Sequence, residues 1–226
     1  MKIKTLTKTD ILGYIFLIIA FAIGFYYAYT NLNYFDTAYA VEDGFVENSQ
    51  FVMLLCSSIL LFYYFFNFFK HKNAYWKLGI LVMAIAFLFA SGEEISWGQR
   101  IFNIQSSEYF IKNNAQHETN LHNMVVDGEK VNKIIFSQLL TIVLVIYILI
   151  LPILYRKVAF IKKIANLFAV PIVKWHHTIA FLIATGFIVF VHSEKKWELY
   201  ELAFAVIFFL IFLNPLNKKE IFSANS

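Results

Sequence analysis

Apolar residues dominate this chain in long runs, separated by short polar connections. The runs cover residues 11–29, 51–69, 75–94, 134–154, 177–191 and 197–214. About 20 apolar residues in a helix cross a hydrocarbon core ~30 Å thick, so each run reads as a transmembrane span. The pattern predicts an all-α fold, a polytopic transmembrane helical bundle of about six spans forming one domain over 1–226. The first run is longer than the core of a secretory signal peptide, so it is expected to stay as a helix. Residues 158–174 mix apolar with basic residues, which predicts a short amphipathic segment lying on the membrane surface and broken by Pro171. One polar connection, 101–132, is longer than an idle loop usually is.

Composition agrees with the pattern. Hydrophobic residues make up 60% of the chain, aromatic residues 19% and charged residues only 15%, against about a quarter charged in soluble domains. The single cysteine, Cys56, falls within an apolar run and rules out an intramolecular disulfide. A net charge of +4 would suggest acidic partners in a soluble protein. In a membrane protein its distribution matters more, and nothing points to nucleic acid. With six spans both termini share a side, and that side holds 13 of the 19 basic residues. The positive-inside rule then makes both termini cytoplasmic. Of the 15 acids, only Asp10 and Glu220 fall on that inner side.

The acids are therefore the informative residues. A helix rises roughly 24 Å from Lys77 to Glu93, and roughly 26 Å from Lys218 back to Glu201. Both distances are shorter than the apolar core, which places these glutamates just below the outer boundary. A carboxylate at that depth costs a few kcal/mol unless it is paired, protonated or bound to a cation. Four groups reach this layer: Glu42, Asp43 and Glu47; Glu93, Glu94, Ser96 and Arg100; Glu118, His122 and their neighbours; and Glu198 with Glu201. A shared cavity is expected.

The densest segment is S-G-E-E-I-S-W-G-Q-R, residues 91–100. If the preceding helix continues through it, Glu93, Ser96, Trp97 and Arg100 share one face. Glu93 and Glu94 with Arg100 fit an internal ion pair that stops the helix. They equally fit a general base or metal ligand beside a guanidinium that orients an anion. Gly92 and Gly98 would let another helix or a lipid headgroup approach closely. His117, Glu118 and His122 fit a solvated loop as well as a site, and their H-E-x-x-x-H spacing is one residue too long for the zinc helix H-E-x-x-H. His122 with Glu94, Glu198 or Glu201 suits zinc, manganese or iron. A set built only of carboxylates, with Glu47 included, suits calcium or magnesium. Ser96 has no histidine at a recognisable spacing, which disfavours a serine hydrolase. His176 and His177, beside Trp175, read as interface anchors.

The runs E-D-G-F-V-E, G-E-E-I-S-W-G-Q-R and Q-H-E-T-N-L-H-N occur in that order within residues 40–125. In this the chain resembles a family of polytopic bacterial membrane proteins that share the three signatures. The resemblance implies a multi-pass protein of the bacterial cytoplasmic (inner) membrane and brings no activity with it. The chain is similar more loosely to the alkaline ceramidase and progestin-receptor-like membrane hydrolases, which implies a zinc site and lipid hydrolysis. Those proteins have seven spans and an H-x-x-x-H pair in the last helix, where this chain has Glu198-x-x-Glu201.

Three functions follow as expectations. The first is a metal-assisted hydrolase of a lipid or lipid-linked substrate. Its catalytic group would be Glu93, Glu94, Arg100, Glu118, His122 and Asn123, and its divalent metal (zinc, manganese, calcium or magnesium) would be held by Glu47, Glu94, His122, Glu198 and Glu201. The second is a proton- or cation-coupled carrier or channel using the same carboxylates, although no span shows the mid-membrane Gly/Pro break of many transporters. The third is a non-catalytic membrane subunit or assembly factor that docks a membrane protein partner. In every case membrane lipid is the surrounding partner.

Overall fold

The computed structural model describes residues 6–121, 123–126, 129–130 and 140–223, with only the backbone at Arg100, Val126, Glu129, Lys130, Leu140 and Thr141. Thr7 starts the first helix by a reciprocal cap. Its hydroxyl accepts from the Asp10 backbone N–H, and the Asp10 carboxylate accepts from the Thr7 N–H at 2.9 Å. Two otherwise orphaned donors are satisfied this way. Helix α1 then runs Lys8–Thr30, α2 runs Phe45–Phe68 and α3 runs Ala74–Glu94. Asn73 caps α3 by accepting from the Trp76 N–H at 2.9 Å. These three helices, α2 extended by a 3₁₀ turn to His71, are long and apolar enough to cross a membrane.

Helix α4 covers 140–157 and contains a wider π-helical turn at Ile146–Ile150, just before Pro152. Proline has no N–H to give the carbonyl four residues back. That carbonyl belongs to Ile148, and it accepts instead from the Thr178 hydroxyl at 3.1 Å. Helix α5, Ala159–Leu167, bends away from α4 by 118°, and the pair adds a fourth span if it is counted as one. Its exposed Phe160 and Lys163 fit a surface helix. It ends earlier than expected: Ala169 adopts a positive φ of 54° two residues before Pro171. Helix α6, Trp175–Val189, is apolar but only 15 residues long. Helix α7, Lys196–Leu213, carries Lys196, Glu198 and Glu201 near its start. The short α8 spans Lys218–Ile221. Outside the helices, the described residues hold a two-residue antiparallel ladder, Val125–Val126 with Glu129–Lys130.

Helix α7 is the axis. It packs on α1, α2 and α6, while α2 packs along α3. Leu199, Leu202, Ile207, Leu210 and Ile211 of α7 are all buried in the core. Glycine permits one of these approaches: a Cβ at Gly13 of α1 would fall 2.9 Å from the Leu210 side chain. The outward faces are apolar too, with Leu12, Ile18, Ile59, Phe66 and Val82 all exposed. In water such a surface would aggregate; against lipid it is the expected one.

The helix expected to carry Glu93 through Arg100 on one face does not continue. Helix α3 stops at Glu94, and Ser96, Trp97 and Gly98 take left-handed φ values of 48°, 55° and 75°. Only at Gly98 is that conformation free of a Cβ penalty. The reversal folds the Trp97 ring over Gly92, where an added Cβ would fall 2.8 Å from it. The small surface at Gly92 is thus filled from within the chain rather than by another helix or a headgroup.

Candidate functional site

The ends of α3 and the starts of α2 and α7 meet under the loop 114–123. Between them lies a cavity of about 40 Å³ lined by Glu42, Glu47, Glu93, Glu94, Glu118 and Glu198 with polar Ser96, Gln116, Asn120 and Asn123. A space of that size holds a metal ion or one or two waters, not a lipid.

Each acid is brought there by a different device. Glu47 sits in the first turn of α2 and accepts from the Asp43 backbone N–H, so it caps its own helix. Glu42 pairs with Lys195 at 2.9 Å, tying the α1–α2 connection to the start of α7. Burial would lower the Lys195 ammonium, but Glu42 outweighs it and holds the group above the usual lysine range. Glu93 is buried, and both its oxygens are engaged: Oε1 accepts from Trp97 Nε1 at 2.8 Å and Oε2 from the Leu121 N–H at 2.5 Å. It fastens the left-handed turn and the loop to the end of α3. Glu118 accepts from the Ser96 hydroxyl at 2.6 Å and from Asn120 Nδ2 at 3.2 Å.

The loop itself is built from amides. Asn114 Nδ2 donates to the Asn120 carbonyl and side-chain oxygens, each at 2.9 Å, and its own Oδ1 accepts from the Gln116 and Glu118 N–H groups. Asn120 accepts from the Asn123 N–H at 3.0 Å, and Asn123 Nδ2 donates to Gln116 Oε1 at 2.6 Å. Gln99 reaches from the other side, accepting from the Thr119 N–H at 2.7 Å. Side chains here replace regular ladders as partners for the backbone.

At the floor, Glu94 lines the cavity with Glu47 and Glu198, within electrostatic reach of Glu201 as well, and Gln50 hydrogen-bonds to it. Gln50 is itself buried, and its Nε2 donates to Glu201 Oε2 at 3.3 Å. Its other side-chain atom, Oε1, is buried without a donor. A buried acceptor with nothing to accept from is uncommon and calls for an explanation.

Of the residues named from sequence, the structure brings together Glu47, Glu93, Glu94, Glu118, Asn123, Glu198 and, through Glu94, Glu201. His122 and the Arg100 side chain lie outside the described residues. His117, at a positive φ of 60°, is exposed and turns Nδ1 to the Ile111 carbonyl, away from the acids. Sequence reasoning missed Gln50. It lies one helical turn after Glu47, and that spacing puts both on one face of α2. It also read His176 and His177 as anchors, whereas both turn toward the buried Asp10 of α1.

No family model, curated protein or solved structure matches this chain. The class is therefore set by fold and site alone: an all-helical protein with three to four helices fit to cross a membrane, carrying an acid-lined chamber where three of its helices end.

Proposed function

We propose that this is a multi-pass protein of the bacterial cytoplasmic (inner) membrane with six spans and both termini inside. The count completes the three or four long helices with α6 and α7, and the charge asymmetry supplies the direction. On this reading the acid chamber lies at the outer boundary and holds a divalent cation that assists hydrolysis of a lipid or lipid-linked substrate. Among the described residues the donors are Glu47, Glu94, Glu198 and Glu201, with Gln50 Oε1 as a neutral oxygen; His122 of the expected set lies outside them. One observation carries it: the Gln50 oxygen is buried without a donor beside Glu201 and within electrostatic reach of the other acids of the chamber. An all-oxygen set of this kind favours a hard ion such as magnesium, manganese or calcium over zinc. The bound ion would polarise an ester or phosphoryl oxygen at the mouth of the chamber. Asn123 and Arg100 flank that mouth in sequence and would orient the substrate.

The cavity volume favours a second reading, since it fits an ion and not a headgroup. In it the chamber belongs to a proton- or cation-coupled carrier, and a proton on Glu94 or Glu201 donates to Gln50 Oε1. Purified full-length protein titrated with Mn²⁺ and followed by EPR separates the two. Under the first reading, wild type binds Mn²⁺, Glu94→Gln and Glu201→Gln weaken binding at least tenfold, and wild type with Mn²⁺ releases headgroups from mixed-lipid vesicles. Mn²⁺ binding unchanged in both variants overturns it. Proton uptake into liposomes without headgroup release replaces it with the second.

A further inference from the structure

At the end of the bundle opposite the acid chamber, the starts of α1 and α6 bring together Asp10, His176 and His177. One ligand atom from each lies within 4.8 Å of the other two. Asp10 and His177 are fully buried, and the His176 side chain is 20% exposed. Neither the acid cluster nor the proposed hydrolysis involves these residues.

The atoms of these three side chains sort into an outer and an inner set. On the outside, Asp10 Oδ2 accepts from the Thr7 N–H at 2.9 Å and from the Thr7 hydroxyl at 2.7 Å. His176 Nδ1 lies 2.7 Å from the Tyr14 hydroxyl, and His177 Nδ1 lies 3.4 Å from the Lys174 N–H. On the inside, Asp10 Oδ1, His176 Nε2 and His177 Nε2 are all buried without a hydrogen-bond partner. His177 Nε2 stands 3.7 Å from Asp10 Oδ1, and His176 Nε2 stands 4.0 Å from Asp10 Oδ2. Both separations are too long for a hydrogen bond. Three buried polar atoms without partners, on side chains whose ligand atoms lie within 4.8 Å of one another, are costly inside a membrane protein unless something satisfies them.

We propose that Asp10, His176 and His177 bind a first-row divalent transition metal such as zinc. Two imidazoles and one carboxylate are a donor set such metals take, with at least one coordination position left over. Bonds of about 2.0–2.2 Å would separate the ligand atoms by about 3.3–3.6 Å, so the three groups, now within 4.8 Å of one another, draw together around the ion. The outer contacts are the supports such ligands require: a hydrogen-bonded carboxylate, and a histidine whose Nδ1–H is held by a hydroxyl oxygen. With Nε2 of His177 on the metal, its Nδ1 carries the proton, so the long contact to the Lys174 N–H is the one that loosens. The exposed edge of His176 is the way in. Loading joins the first turn of α1 to the first turn of α6, two segments 166 residues apart in the chain, and reinforces the Tyr14–His176 hydrogen bond beside it.

Full-length protein in detergent, stripped by chelator and dialysed, is titrated with Co²⁺ and read by its visible d–d absorption. Wild type takes up one equivalent in a nitrogen-containing site, and Cu²⁺ EPR of the same sample shows nitrogen couplings from two imidazoles. Asp10→Asn and His177→Ala weaken Co²⁺ binding more than tenfold. Glu94→Gln combined with Glu201→Gln leaves it unchanged, which separates this site from the acid chamber. If His177→Ala does not fold, His176→Ala, at a partly exposed position, carries the same expectation. The proposal is overturned if wild type shows no d–d absorption, or if binding persists in folded His176→Ala; Asp10 and His177 are then an ion pair only.

Discussion

At the residue scale, two adjacent glutamates do different work because their neighbours differ. The Glu93 carboxylate is spent on two N–H donors, one from Trp97 and one from Leu121, 28 residues further along the chain. Glu94 instead faces other carboxylates. Glu93 is thus the strut and Glu94 the candidate ligand, although sequence treats them alike. Replacing Glu93 by alanine leaves two part-buried donors unpaired, at about 1–3 kcal/mol each. Glu93→Ala should lower the melting temperature in detergent and speed amide exchange over 118–121 while leaving the rest of the loop amides slow. Glu93→Gln keeps one acceptor and should fall between wild type and alanine. Equal exchange in all three proteins would show that the strut carries no load.

At the element scale, the bundle depends on places where backbone meets backbone. Helix α3 passes the end of α5 at Gly79, where an added Cβ would fall 1.8 Å from the Phe168 carbonyl oxygen. No side-chain rotation relieves a clash with a carbonyl, so α3 and α5 must separate. Overpacking of this kind costs about 1–3 kcal/mol, and more where backbone has to move. Gly79→Ala should therefore lower stability measured by thermal melting, whereas Gly186→Ala, with nothing within 4 Å of its added Cβ, should not. A melting temperature equal to wild type for Gly79→Ala would mean that this approach is not made. Pro152 shows the complementary device: α4 keeps a proline because Thr178 of α6 takes over the carbonyl it abandons.

At the scale of the whole molecule, the two polar sites lie at opposite ends of the same helices. Asp10 opens α1 near the C-terminal end of α7, where Asn214 donates to Thr7 at 2.8 Å. Glu198 and Glu201 lie at the start of α7, and the cores of α1 and α7 pack between. If both termini are inside, one site faces the cytoplasm and the other the outer boundary. The orientation can be tested in intact cells with the native Cys56 replaced by serine. A cysteine at the exposed His192, in the α6–α7 turn, should react with a membrane-impermeant maleimide. One at the exposed Lys219 should react only after permeabilisation. The reverse pattern would move the acid chamber to the cytoplasmic side.

Composition and the length of the apolar runs determined that this chain is helical and suited to a membrane, because the bilayer imposes one length and one backbone solution on any spanning segment. They located the long helices, with α2 starting at Phe45 and not at residue 51, and the acid density pointed to the chamber because buried charge is too costly to be incidental. What they left open was tertiary. Periodicity extends a helix through residues 91–100, yet the chain reverses at Ser96, Trp97 and Gly98, where Glu93 accepts from Trp97 and from Leu121 in the distant loop. Local spacing made His176 and His177 look like anchors, because their partner Asp10 lies on another helix. No pattern along the chain could bring those three side chains to one point; only the packing of α1 against the rest of the bundle does.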